Sequence, residues 1–178
     1  MNDQYVLLLR GVNVGAKNQL PMAELRAMLE RVGCTDIATY IQSGNAVLRS
    51  PLAEAPLTAA IEQELAGYMG RAIDTTLRTR GELERVIATN PFATRAAQPK
   101  DTCVTFLSQV PAFEVLAPLE ATDWLPEQYL VDGPEIYAWY PNGQGRSALA
   151  TAVGKLKLAG TVTTRNFNTV LKLHAMLG

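Results

Sequence analysis

The strongest constraint on the fold of this chain is an order of elements that occurs twice along it. Residues 4–10, QYVLLLR, are nearly all apolar, as a central strand buried on both faces must be. Pro21 suits the first position of a helix, Met22, Leu25, Met28, Leu29 and Val32 follow at helical spacing, and Gly33 stops it. Residues 36–42 and 45–49 read as strands joined tightly through QSGN. A second amphipathic helix over 54–69 and a strand over 72–78 follow, and Thr79 with Glu82 forms a capping box that opens a helix to about residue 88. After the linker NPFATRAAQPKD the order recurs. A strand at 102–108 leads to a helix at 111–119, then a hairpin of 127–132 and 135–140 around Asp132-Gly133. The loop PNGQG opens a helix over 146–157, with a short strand near 160–163 and a last helix over 164–177. Each half has the order of a split βαβ unit. The expected fold is α+β: two ferredoxin-like subdomains with mainly antiparallel sheets and helices packed on them. The expected boundaries are 1–90, a linker at 91–101, and 102–178 with the terminal helix.

Composition narrows the class. A chain of 178 residues, 48% apolar and 19% charged, has the make-up of an ordinary globular protein. No run approaches the ~20 apolar residues of a membrane helix, so no membrane is expected. The start, MNDQYVLLLRG, has neither the basic region nor the apolar length of a signal peptide. Cys34 and Cys103 lack metal-ligand spacing and read as reduced structural thiols of a cytoplasmic protein. Net charge is −1, yet residues 136–178 hold Arg146, Lys155, Lys157, Arg165 and Lys172 with no acid at all. That imbalance is either a local field for an anion or a surface that offsets the acidic middle.

The segment LLRGVNVGAKNQLPM, residues 8–22, places glycines, asparagines and a lysine directly after a buried strand. It is not a Walker A loop, because the glycine spacing is one short and Asn18 stands where the metal-binding hydroxyl belongs. Glycines still permit close backbone approach, and Arg10 and Lys17 supply charge. In a split βαβ unit the loop after the first strand and the turn between the second and third emerge at one edge of the sheet. Arg10, Asn13, Lys17 and Asn18 are thus expected beside Gln42, Ser43 and Asn45. Alone, QSGN is an ordinary turn; its expected neighbour gives it interest.

At the other end, TTRNFNTVLKLHAML is expected to form a helix with Thr163 or Thr164 as N-cap. Phe167, Val170, Leu171, His174 and Leu177 fall on one face, and Arg165, Asn168, Thr169 and Lys172 on the other. A guanidinium suits phosphate or carboxylate because its fork donates two parallel hydrogen bonds, each ~1.5–3 kcal/mol. The lone histidine, His174, lies on the apolar face and reads as structural. Glu62, Glu64, Glu82 and Glu84 are spaced two apart and do not face each other on a helix. Tyr137 and Trp139 share a strand face, where core packing is favoured over base stacking because the RNA-recognition signature is absent.

LLRGVNVGAKNQLPMAELRAML, TYIQSGNAVLRS and TTRNFNTVLKL together give the chain a resemblance to a bacterial family, domain of unknown function 1697. The resemblance implies a cytoplasmic α+β protein with duplicated subdomains and no assigned activity. Ala16 and Phe167 depart from the residues common in that family, and neither removes a binding group. The family supplies no catalytic residues, and the motifs call for no cofactor or metal. The expectation is a binding site for an anionic ligand: a phosphate-bearing small molecule, a nucleotide or a nucleic acid. Its lining would be Arg10, Asn13, Lys17, Asn18, Gln42, Ser43, Asn45, Arg165, Asn168 and Lys172. An enzyme acting on an anionic small molecule and a protein-interaction domain are the alternatives.

Overall fold

The fold is seen in a computed structural model, which describes residues 3–15, 19–94 and 99–178. The chain divides into two compact units, Met1–Arg85 with Leu171–Gly178, and Val86–Val170. The first begins with β1 (Asp3–Leu9), α1 (Met22–Arg31), β2 (Thr35–Tyr40) and β3 (Asn45–Ser50), and continues with α2 (Glu54–Met69), β4 (Thr75–Thr79) and α3 (Arg80–Thr89). Its sheet has the order β2-β3-β1-β4, with every neighbouring pair antiparallel. β1 and β2 therefore run the same way with β3 returning between them.

The burial pattern explains the order. Tyr5, Leu7 and Leu9 point to one face of β1 and join Leu25, Met28 and Leu29 of α1 and Leu57, Ile61 and Leu65 of α2 in one core. The strand contributes at period two and the helices at three and four, the spacings that bring one face inward. The alternate residues Val6 and Leu8 are buried as well. β1 is apolar on both sides and takes the centre, with β3 and β4 as partners. Pro21, in an extended conformation, precedes α1 without a side-chain cap, and α2 stops at Gly70, whose φ of 68° lets its N–H reach back to Ala66 O. The capping box at α3 forms: Thr79 N–H donates to Glu82 Oε2 at 2.8 Å, and Glu82 N–H to Thr79 Oγ1 at 3.3 Å.

The second unit repeats the plan. Its elements are β5 (Thr102–Leu107), α4 (Phe113–Glu120), β6 (Gln128–Asp132), β7 (Glu135–Trp139), α5 (Ala148–Lys155) and β8 (Val162–Asn166), with α6 (Phe167–Met176) following. Single 3-10 turns occupy Pro99–Asp101 and Gln144–Arg146. The order β6-β7-β5-β8, again antiparallel throughout, is that of the first sheet. Leu107, Leu116, Leu119, Ile136, Ala138, Leu149 and Val153 make its core. Both halves are split βαβ units of the ferredoxin-like kind. No helix among the described residues is long and apolar enough to cross a membrane.

The final strand and helix differ from the sequence expectation. The strand extends to Asn166, pairing Thr164 with Thr105, Arg165 with Val104 and Asn166 with Cys103, and the helix starts only at Phe167. Three β-branched residues, Val162, Thr163 and Thr164, suit a strand, and β5 offers its edge to their backbone groups. Asn166, not Thr163 or Thr164, caps the helix, its Oδ1 accepting from Thr169 N–H at 2.9 Å and Thr169 Oγ1 at 3.1 Å. Arg165 thus lies on a strand. Thr169, expected on the polar stripe, is buried, and the buried stripe of α6 runs through Phe167, Val170, Leu173 and Leu177.

The last turns of α6 belong to the first unit and are tied to it by polar contacts. Gln4 Nε2 donates to Leu177 O at 2.6 Å, and Arg80 Nη1 donates to Gly178 O. Arg80 Nε donates to Glu84 Oε1 at 2.9 Å, and His174 Nε2 lies 3.5 Å from the same oxygen. The hydrogen bond from Arg80, and then the nearby His174 imidazole, hold the Glu84 carboxyl below its ordinary 4.5. A carboxylate with a depressed folded-state pKa adds stability above its unfolded-state value and loses it as pH falls through the folded one. The melting-temperature advantage of the wild type over Glu84→Gln should be full at neutral pH and shrink as pH falls below 4.5. Thermal unfolding of both proteins across that range measures it.

Candidate functional site

The parallel run of β1 and β2 brings residues 10–15 and 19–21 and residues 41–44 to one edge of the first sheet. Main-chain bonds anchor it: Leu9 N–H to Gly44 O at 2.8 Å and Arg10 N–H to Asp74 O at 3.0 Å. Asn13, at φ 55°, joins loop to turn. Its Nδ2 donates to Leu20 O at 2.9 Å and to Gln42 O at 2.6 Å, and its Oδ1 accepts from Leu20 N–H at 2.7 Å. The turn can approach because Gly44 has no side chain. A Cβ there would stand 2.5 Å from Val12 Cγ2 and 2.8 Å from Leu9 Cβ, and φ is 76°.

Charge and apolar surface gather on this scaffold. Arg10 Nη1 lies 3.4 Å from Asp74 Oδ2 in an ion pair whose side chains are 55% and 47% exposed. Such a pair holds at most about 1 kcal/mol. Arg71 Nη2 donates to Gly11 O and its Nη1 to Ala72 O, each at 3.2 Å. Arg71 was not among the expected site residues. Its signal was available: β4 runs antiparallel to β1, so the loop entering β4 ends at the same edge. Val14 is 70% exposed and Ile41 51%. Ile41 also has φ 48°, a region a β-branched residue enters at a cost of about 1–3 kcal/mol.

The expected site residues divide into several groups. Asn13 and Asn45 are structural: Asn45 is buried and its Nδ2 donates to Tyr40 O at 3.1 Å and Ser43 Oγ at 2.9 Å, closing the hairpin. Gln42 and Ser43 are exposed at the tip. Lys17 and Asn18 lie outside the described residues. Arg165 belongs to the second unit and is half-buried on β8, where its Nη1 donates to Thr163 Oγ1 at 2.7 Å and Thr164 O at 2.9 Å. Burial pulls its guanidinium down to about 10. Asn168 and Lys172 are exposed on α6, the first in the second unit and the second in the first.

Cys34 and Cys103 are buried free thiols, and burial raises both, Cys103 to about 12, which leaves them poor nucleophiles. No group of three His, Cys, Asp or Glu among the described residues is placed to hold a metal ion.

The second unit provides an internal comparison. Leu107 N–H donates to Pro134 O at 2.8 Å and Ser108 N–H to Thr161 O at 3.0 Å, the counterparts of the Leu9–Gly44 and Arg10–Asp74 bonds. Yet its first loop is only residues 108–112, and its hairpin turn only residues 133–134. The scaffold is duplicated, and the long loop and turn are not.

A family model described as "Protein of unknown function (DUF1697)" matches residues 1–137, a span that includes the whole of this edge. The chain belongs to the DUF1697 family. It is also similar to a solved structure, that of the conserved bacterial protein SP0830 from Streptococcus pneumoniae, with 26% identity and a TM-score of 0.83 over 100% of each chain. No functionally curated protein matches it.

Because one amide holds three bonds across this DUF1697 loop, Asn13→Ala should lower stability by about 2–3 kcal/mol, the sum of its lost hydrogen bonds. Asn13→Gly should cost less, since glycine accepts the positive φ. Urea unfolding of the three proteins gives the ranking.

Proposed function

We propose that the long loop and turn of the first unit bind an anionic ligand of the phosphate-bearing class, whether small molecule, nucleotide or nucleic acid. One observation carries the reading. Two units share sheet order and the same pair of main-chain anchors, and only the first has extended both segments at a single edge. Loops as long as residues 10–21 are uncommon in compact domains unless they serve a function. This one is pinned by Asn13 and carries two arginines beside it.

Arg10 and Arg71 are the expected anion contacts, with Lys17 from the loop and the exposed Gln42 and Ser43 as neutral donors. The Arg10–Asp74 pair is solvent-exposed, so an incoming phosphate can turn Arg10 toward itself at small cost. Gly11 and Gly15, with φ of 67° and 68°, let the backbone come close to such a ligand. Asp74 is already paired with Arg10, and Glu62 Oε1 accepts from Thr75 N–H at 3.3 Å, so the carboxylates beside this edge are engaged and it is suited to binding rather than to general-base catalysis. The two buried thiols fit a reducing, cytoplasmic setting.

Calorimetric titration with pyrophosphate and with a single-stranded oligonucleotide tests the reading. Arg10→Ala and Arg71→Ala should each weaken binding about tenfold or more, since a charge-assisted bond contributes ~1.5–3 kcal/mol. With the oligonucleotide, each substitution should also lower the log–log salt slope by about one. Undiminished binding by the folded double variant, or no binding by the wild type, contradicts it.

A further inference from the structure

We propose that Ile41 reads a flat apolar ring carried beside the anionic group, so that the ligand is a nucleotide rather than a bare phosphate. This rests on the anion-binding reading above. Among the described residues, three outside glycine have positive φ: Asn13, Asp36 and Ile41. Asn and Asp tolerate that region, and isoleucine is among the residues that tolerate it least. A turn of this kind ordinarily takes glycine or asparagine at such a position, as it does at Gly44, three residues on, with φ 76°.

Packing within the unit does not account for the choice either. Ile41 is 51% exposed, so about half of the side chain gains nothing from burial. The residue is thus strained in its backbone and wet on its surface, a combination that persists where an outside contact uses it. A single exposed aliphatic would need no explanation. Here Val14, 70% exposed, is the residue after Asn13, and Ile41 is the residue before Gln42, whose carbonyl accepts from Asn13 Nδ2 at 2.6 Å. Two exposed aliphatic residues therefore adjoin the clasp along the chain, on the edge that also holds Arg10 and Arg71. Cations with an adjoining aliphatic pair recognise a molecule that is anionic at one end and apolar at the other. Among phosphate-bearing compounds, a nucleoside phosphate has that division, its base offering a planar apolar face.

The experiment compares ADP with pyrophosphate, two probes of similar charge, on the full chain. For the wild type, calorimetry should show ADP binding at least tenfold more tightly. Ile41→Gly should melt at a higher temperature, because the strain is relieved, and bind ADP no better than pyrophosphate, with pyrophosphate affinity unchanged. Ile41→Asn, which keeps a side chain and tolerates the φ, should behave alike and guards against poor folding of the glycine variant. Equal wild-type affinity for the two probes overturns the inference and leaves the anion reading standing. Binding of neither overturns both. A variant pair with unchanged or lowered melting temperature shows that Ile41 is not strained, which also overturns it. So does binding of an acidic amphipathic peptide in preference to ADP, which would assign the aliphatic pair to a protein partner.

Discussion

A strand that is apolar on both faces can be neither at a sheet's margin nor on its wet side. β1 meets that constraint by taking a central place, with β3 and β4 bonded along its two sides and buried residues above and below. Everything at the candidate site follows from it. Once β3 must return beside β1, β2 is forced to run parallel to β1, and the segments leaving both strands emerge together. The Leu9–Gly44 bond and the missing side chain of Gly44 then set how near the turn comes to the loop.

The duplicated plan separates what a scaffold requires from what is added to it. Main-chain anchors at equivalent places in both units are requirements of a split βαβ edge. In the second unit a serine serves where the first has Arg10: Ser108 Oγ accepts from Thr161 N–H at 3.0 Å. The first unit spends a whole asparagine side chain on holding its longer loop, and it tolerates an isoleucine with positive φ in its turn. Conformational cost of that sort is not required for the plan, since the described residues of the sister unit show no non-glycine residue with positive φ. Membership in DUF1697 and the likeness to the pneumococcal protein extend the same fold to other chains.

Much of this was legible in the residues. Strand and helix periods, the QSGN turn and the Thr79–Glu82 capping box are local signals, and the elements they mark form in the expected order with ends shifted by a few residues. The convergence of loop and turn was legible too, because it follows from topology. What failed was non-local. The TTRN stretch can cap a helix or extend a strand, and the choice was made by the free edge of β5, which no local pattern reveals. Nor can a sequence say which way an amide faces. Asn13 and Asn45 look like ligand donors, and their hydrogen bonds are used internally. Arg71, two loops away in sequence, joins the edge only through sheet geometry.

The central claim is that this one edge, of the two that the fold offers, is the binding surface. Amide NMR during a pyrophosphate titration tests it most directly. The account predicts shifts concentrated at Gly11, Asn13, Gly15, Gln42 and Ser43, with the equivalent residues 108–112 of the second unit unmoved. Shifts confined to the second unit, or none at any probe concentration, would contradict it.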